Sequence, residues 1–232
     1  MRVLIAVISC HTRQIYANAI RETWLPLVQG ADVRFFRGHG ATREPLPDEV
    51  WLDCPDDYAS LPSKVQAVIR WALENGYDAL AKCDDDVVLK PKDFLSSGFH
   101  LHDFNGHTND DRASAKTPWG FLYTLSKRSM EIMAQAPLPP NNNDEAWTAN
   151  TLVGHGIILH NEPRYYLHRG KRRDFIPKAP RPLRAPPRLT SMEEDTPGNG
   201  IAYAVFLHWS GFHATPDEVN IKEYYKLFKE TQ

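Results

Sequence analysis

Apolar residues recur along the chain in two patterns, one typical of buried strands and the other of amphipathic helices. Val3–Ile8 is an unbroken aliphatic run, as a strand buried on both faces requires. Between residues 63 and 75 the apolar positions form a single helical stripe, and Asn75-Gly76 predicts a left-handed end to that helix. Shorter runs predict strands at 33–36, 50–53, 78–82, 87–89, 118–126, 156–160 and 201–207, and helices at 14–24, 127–135, 144–152 and 217–229.

Strands and helices therefore alternate through most of the chain. Such alternation is typical of a layered α/β fold, with a sheet covered by helices on both faces. With 232 residues, of which 42% are hydrophobic, the chain can bury one full core. We predict a single domain, residues 1–232.

One segment breaks this alternation. Residues 164–188 contain nine Lys and Arg against one acid, Asp174, in a chain whose formal net charge is −2. Five prolines keep the segment out of helix and sheet interiors. We predict a basic, proline-rich loop inserted at about 164–200. Such a loop is a candidate site for a polyanionic acceptor, with Lys171, Arg172 and Arg173 as its contacts.

The cysteine content bears on the cellular compartment. Cys10, Cys54 and Cys83 are too few and odd in number for a disulfide framework, which indicates reduced thiols. No stretch approaches the roughly 20 apolar residues of a membrane span. The sequence also has no Asn-x-Ser/Thr glycosylation site. We therefore expect a cytoplasmic protein without a membrane partner.

The candidate chemistry centres on Asp84-Asp85-Asp86, which lies between the predicted strands 78–82 and 87–89. Adjacent carboxylates raise each other's pKa unless a cation is present. Their oxygen atoms would suit Mg²⁺ or Mn²⁺ bound together with a diphosphate, although an exposed acidic turn is the alternative. Strand-like alternation would point Asp84 and Asp86 to one side and Asp85 to the other.

Several short motifs occur in a fixed order around this triplet. They are Ile20-Arg21-Glu22-Thr23-Trp24, Asp57-Tyr58 with Leu61 and Lys64, Trp71, Lys82-x-Asp84-Asp85-Asp86-Val87 and Gly120-x-x-Tyr123-x-Leu125-Ser126. The ordered set resembles the fringe-like β-1,3-glycosyltransferases, glycosyltransferase family 31. This resemblance implies a Rossmann-like GT-A fold, a nucleoside-diphosphate sugar donor (usually UDP), Mn²⁺, and inversion at the anomeric carbon.

The resemblance also implies roles for the triplet. Asp86 would be a metal ligand, and Asp84 would contact the donor ribose and lie at the metal, with Asp85 beside the donor. In GT-A enzymes the last metal ligand is commonly a histidine after a late strand, and His208 follows the predicted strand 201–207.

Other positions that match the family lie near its nucleotide. Arg13, Arg21 and Lys64 are the candidates, with solvated or structural cations as the alternative. Trp119 and Trp147 could stack on sugar rings of an acceptor, or could simply be packed in the interior.

The family's catalytic-base segment, Glu-Asp-Val, appears in altered form at residues 144–146. Glu145 takes the base position and Asp144 the acid before it, so either carboxylate is a candidate base. A base in this reaction removes the proton of the acceptor hydroxyl. A third reading is that Asp144 only caps the following helix.

Two other classes of function remain open. A metal-dependent phosphohydrolase or nucleotidyltransferase would use the same triplet with a second carboxylate cluster, for which Asp110-Asp111 is the candidate. A nucleic-acid-binding protein would use the basic loop. A sugar transferase acting on modified bases of DNA or RNA combines both features. A cytosolic or anionic glycan, a lipid-linked molecule and a small molecule are the other candidate acceptors. Because this sequence lacks the anchor and lumenal cysteines of the animal enzymes, a viral or bacterial protein fits better.

Overall fold

A computed structural model describes residues 1–40, 43–108, 117–168 and 202–205. The ten strands of this part are β1 (Val3–Ile8), β2 (Asp32–Arg37), β3 (Glu49–Trp51), β4 (Ala79–Asp84), β5 (Val87–Leu89), β6 (Phe104–Gly106), β7 (Leu122–Ser126), β8 (His160–Asn161), β9 (Tyr165–His168) and β10 (Ala202–Val205). Its α-helices are α1 (Gln14–Glu22), α2 (Leu61–Glu74), α3 (Pro91–Leu95), α4 (Lys127–Gln135) and α5 (Asp144–Gly154).

Seven strands form the main sheet, in the order β3-β2-β1-β4-β7-β6-β8. The first four are parallel, and β7 is antiparallel to β4, so the sheet is mixed. A second sheet of three strands has the order β5-β10-β9. In the sheet, β1 lies between β2 and β4, so the strand order reverses its direction at β1. In open α/β sheets, ligands bind at the carboxyl ends of strands at such a reversal.

The core has two halves, one on each face of the main sheet. All six residues of β1 are buried, as the aliphatic run predicts. One face packs against α1 through Tyr16, Ile20 and the following Trp24. The other face packs against α2, α4 and α5. The predicted α/β fold with helices on both faces is confirmed.

The helix ends follow from local chemistry. α1 ends at Glu22, two residues before the predicted end, because Thr23 leaves helical geometry and its hydroxyl bonds the Ala19 carbonyl. α2 starts at Leu61 with a proline in its first turn, where the missing N–H costs nothing. Gly76, with φ of 73°, gives the predicted left-handed end.

Two predicted strands need correction. The strand at 156–160 is wrong, because Ile157 N–H bonds the Leu152 carbonyl and continues the end of α5. Only the two residues of β8 pair with the sheet there. The strand at 118–126 starts four residues late, at Leu122, and the preceding Trp119 bonds the His107 carbonyl instead.

The basic segment also begins differently from the prediction. β9 occupies 165–168 and pairs with β10, so the loop cannot start at 164. β6, α3 and β9 were absent from the prediction. Residues 169–201 and the predicted helix 217–229 lie outside the described residues. Within the described ranges, no helix has the length and apolar character needed to cross a membrane.

Candidate active site

Five carboxylates from two distant parts of the chain meet at one edge of the main sheet. β4 ends at Asp84, and residues 85–86 form a turn. α5 carries Asp144 and Glu145 in its first turn. Lys82 joins the two groups, because its ammonium lies 2.5 Å from Asp84 Oδ1 and 3.9 Å from Asp144 Oδ2. We call Asp84, Asp85, Asp86, Asp144 and Glu145 the acid cluster.

Lys82 is the buried centre of this arrangement. Its ammonium also donates to the Gly120 carbonyl, and only 1% of the residue is exposed. Burial alone would lower the pKa of Lys82, but its carboxylate neighbours outweigh burial and raise it. Asp144 is fixed from the other side by the Tyr123 hydroxyl, which donates to Asp144 Oδ2 at 3.0 Å. The cap of α5 is Asn143, so the reading of Asp144 as the helix cap is wrong.

A second cation, Arg13, holds the turn of the triplet. Its Nε donates to Asp85 Oδ1 at 2.8 Å, and its Nη2 lies 3.4 Å from Asp86 Oδ2. The Asp85 carboxylate also accepts from Ser9 Oγ at 2.7 Å and is 4% exposed. Arg13 stacks in turn on the Tyr16 ring, 3.7 Å from its centroid. Asp85 therefore orients Arg13, and its own oxygens are occupied within the protein.

The predicted alternation within the triplet is wrong. Asp85 and Asp86 both reach Arg13, whereas Asp84 turns to Lys82. The reason is that the strand stops at Asp84, so the next two residues follow turn geometry.

Asp86 carries the clearest sign of a missing partner. Burial, together with Asp84 and Asp85, raises the pKa of its carboxyl to about 7. Its Oδ1 is buried and bonds no donor in the described residues. A carboxylate oxygen of this kind can bind a hard metal ion, so Asp86 is the residue of the triplet best suited to be a metal ligand. The described residues contain no group of three or more His, Cys, Asp or Glu placed to hold a metal.

Glu145 lies on the more open side of the acid cluster. Its half-buried side chain lies against Gly120. Burial and the neighbouring Asp144 raise the pKa of Glu145 to about 7. Tyr58 is 74% exposed, and its partial burial and then the nearby Glu145 raise the pKa of its hydroxyl. A carboxyl group that holds its proton near neutral pH therefore lies beside a solvent-exposed tyrosine.

Lys64 is buried beside this edge. Its ammonium donates to Asp56 Oδ1 at 2.6 Å and to the Ser9 carbonyl at 3.0 Å. Asp56 also accepts the N–H groups of His11 and Gly38, at 2.7 and 2.6 Å. This carboxylate thereby joins the segments that follow β1 and β2. Lys64 and Asp56 fix the loops around the acid cluster.

Arg21 belongs to a different group of charges. It donates to Asp48 at 2.8 Å and to Glu49 at 3.0 Å, and its predicted position near a nucleotide finds no support in these contacts. Glu49 also lies within ion-pair distance of Arg37 and Arg43. We call these three arginines with Asp48 and Glu49 the arginine cluster.

The two tryptophans differ. Trp147 is 7% exposed, packs in the core and donates to the Pro137 carbonyl, which corrects its predicted role in sugar stacking. Trp119 is half-buried, edge-to-face with His107 at 4.6 Å, and directly precedes Gly120. The remaining predicted residues lie outside the described part: Asp110, Asp111, Lys171, Arg172, Arg173 and His208.

In the sequence, Lys82, Gly120 and Tyr123 have no assigned role beyond their place in motifs. One signal was available for Lys82, since a single lysine interrupts the apolar strand 79–83 two residues before the triplet. A buried lysine needs an acidic partner. The second partner, Asp144, is far away in sequence, and only the fold reveals it.

Comparisons with known proteins add little. No protein-family model matches the chain, and no curated protein matches it. Among solved structures, it is similar to one described as a "putative nucleotide-diphospho-sugar transferase" from Desulfovibrio desulfuricans G20, with 12% identity and a TM-score of 0.48. The match covers 69% of this chain and 79% of that one. A similarity this low carries no argument about family or activity.

Proposed function

We propose that the protein is an inverting glycosyltransferase that moves a sugar from a UDP-sugar donor to an acceptor hydroxyl. The observation that carries this proposal is the meeting of the triplet and Asp144-Glu145 around Lys82 at the sheet edge. The triplet suits the donor side of the site, and Asp144-Glu145 suits the acceptor side. The resemblance to the fringe-like enzymes, based on ordered motifs, supports the same division.

In this reaction Glu145 takes the proton of the acceptor hydroxyl. The acceptor oxygen bonds to the anomeric carbon from the face opposite the diphosphate. The bond from that carbon to the diphosphate oxygen breaks, and UDP leaves with the electron pair. Its pKa of about 7 makes Glu145 a suitable base near neutral pH, whereas Asp144 is held by the Tyr123 hydroxyl.

Arg13 and Asp86 act on the donor side. Arg13, oriented by Asp85, would contact the diphosphate and offset its charge. Asp86, with its unpartnered oxygen, would hold Mn²⁺ or Mg²⁺, and His208 remains the proposed further ligand. A bound divalent ion would stabilise the charge that develops on the leaving diphosphate.

A two-metal phosphohydrolase that used the acid cluster alone would need a second cation between the triplet and Asp144. The Lys82 ammonium already lies between Asp84 and Asp144. Its position argues against a second metal ion between the triplet and Asp144, whereas Asp110-Asp111, the predicted second cluster of the two-metal alternative, lies outside the described residues.

The acceptor is the part of the proposal that rests on sequence alone. Arg164 pairs with Glu162, and the eight cations of 169–188 suit a polyanion, either a nucleic acid with a modified base or an anionic glycan. Replacing Lys171, Arg172 and Arg173 with Ser should weaken binding to DNA and flatten its salt dependence by about one unit per lost contact. Absence of binding to single- and double-stranded DNA at low salt would exclude a nucleic-acid acceptor and leave a glycan or a small molecule as the acceptor.

The test of the function is a panel of UDP-sugars incubated with the protein and Mn²⁺. We expect release of UDP from at least one sugar, with protection of the protein against thermal unfolding by the same donor. Omission of the metal should remove both effects. Absence of UDP release and of protection across the whole panel would contradict the proposal.

A further inference from the structure

Gly120 and Glu145 approach each other more closely than any other residue type at position 120 would permit. A Cβ on Gly120 would lie 2.5 Å from Glu145 Oε1, 2.8 Å from Cδ and 3.1 Å from Cγ. Since carbon atoms pack at about 3.5–4.0 Å, an alanine would push the carboxylate back by about 1 Å. Gly120 is not among the residues with positive φ, so its backbone does not itself require glycine.

The surroundings leave Glu145 as the part that must move. The Gly120 carbonyl accepts the buried Lys82 ammonium, which anchors this backbone. The start of α5 is fixed by the Asn143 cap and by the bond from Tyr123 to the neighbouring acid. Only the flexible end of the Glu145 side chain can yield.

We propose that Gly120 is a positioning residue for the base, because its missing side chain lets a glutamate at 145 lie across the strand end and present its carboxylate to the acceptor. This inference rests on the proposed function. It explains why a base one methylene longer than aspartate is accommodated here. The longer side chain of Glu145 fits into the space that the missing Cβ of Gly120 leaves.

This match predicts that Glu145→Asp has opposite effects on the rate with Gly and with Ala at position 120. Gly120→Ala should lower UDP release from the active UDP-sugar, with water as the acceptor, by about 10²-fold, the scale expected for a misplacement of about 1 Å. Glu145→Asp should also lower the rate in the native background, since the carboxylate falls short. With Ala at position 120, however, Glu145→Asp should raise the rate at least about tenfold, because the shorter side chain avoids the new methyl group.

The matched control is Gly154→Ala. A Cβ at Gly154, at the other end of α5, meets no atom within 4 Å, so its rate should equal that of the native protein. UDP affinity and the melting temperature should stay near native values in both single glycine variants. A native rate for Gly120→Ala would overturn the inference. So would a double variant no faster than Gly120→Ala alone.

A second readout separates this inference from the proposed function. The titration of the Glu145 carboxyl carbon, followed by NMR, needs no donor. It reports the groups that face this side chain, which are Asp144 on α5, Lys82 on β4, Tyr123 on β7 and Tyr58 before α2. Gly120→Ala should move the carboxyl toward solvent and lower its pKa. If the native protein releases UDP from no sugar, the proposed function fails, and an unchanged titration in Gly120→Ala then overturns the inference as well.

Discussion

The acid cluster and the arginine cluster are both partly buried groups of charges, yet the pKa values of their carboxylates are shifted in opposite directions. Burial would raise the pKa of Glu49, but hydrogen bonds from Arg43 and Arg21 outweigh it and lower the pKa to about 2. Burial and neighbouring carboxylates raise the pKa of Asp86 and of Glu145 to about 7. One cluster compensates its anions within the protein, and the other keeps an excess of them.

This difference separates structural from functional electrostatics. The arginine cluster ties α1 to β2 and β3, and Glu49 accepts from several donors at once. Among the described residues, Lys82 and Arg13 are the cations that face the five carboxylates of the acid cluster, and this excess of negative charge is costly unless a cation and a ligand complete the site. Uncompensated carboxylates at the edge of a sheet are typical of a functional site.

The largest expected effect is the loss of donor binding in Asp86→Ala. Removing this carboxylate should abolish Mn²⁺-dependent binding of UDP, measured by calorimetry with and without the metal. Stability without ligand should not fall, because like-charge repulsion is relieved. Asp53→Ala, at a fully exposed aspartate paired with His39, is the control and should bind UDP normally. If UDP binding by Asp86→Ala depended on Mn²⁺ as it does in the native protein, the acid cluster would not be the donor site.

The next effect concerns the base. Glu145→Gln should lower the rate of sugar transfer or UDP release by roughly 10²–10⁴-fold, the usual scale for loss of a general base. UDP affinity should remain, because the donor side of the cluster is intact. Steady-state kinetics with a direct binding measurement separate the two quantities. Nearly normal turnover in this variant, with Asp144→Asn inactive, would instead assign the base role to Asp144.

A change in the arginine cluster should lower stability and leave activity unchanged. Glu49→Gln leaves arginines without their buried partner and should lower the free energy of unfolding by about 3–5 kcal/mol. The rate per folded molecule should not change. Glu44→Gln, on the exposed neighbouring segment, should stay within about 0.5 kcal/mol of native stability in denaturant titrations. A loss of activity in Glu49→Gln without loss of stability would erase the distinction between the clusters.

Periodicity was sufficient for most of the fold. The strands β1, β2 and β4 and the helices α2 and α4 follow from apolar patterns, because each buries a continuous face. β6 (Phe-Asn-Gly) and β8 (His-Asn) contain no apolar run, so no pattern in the sequence predicts them. β5 was predicted as a strand, but its place in a second sheet depends on partners distant in the chain.

The candidate site was predictable only in part. The triplet and Asp144-Glu145 are visible as sequence motifs. Their meeting around Lys82 is a long-range contact that no local pattern encodes. The same limit applies to Arg21 on α1, whose partners Asp48 and Glu49 lie before and at the start of β3, more than 25 residues away.

The smallest expected effect is a pair of opposite pH slopes in the stability of the metal-free protein. Glu49 has an ordinary pKa of 4.5 that falls to about 2 in the fold, so between these values the unfolded chain binds more protons. Stability should therefore rise with pH from about 2 to 4.5. Glu145 has the opposite shift, from 4.5 to about 7. The folded state then holds the extra proton, and its contribution should reduce stability as pH rises from about 4.5 to 7.

Denaturant titrations from about pH 2 to 7 on the native protein and on two variants test both slopes. The slope below pH 4.5 should be weaker in Glu49→Gln, and the slope above pH 4.5 should be weaker in Glu145→Gln. Equal profiles for the native protein and Glu145→Gln above pH 4.5 would mean that Glu145 is not held in its protonated form by the acid cluster.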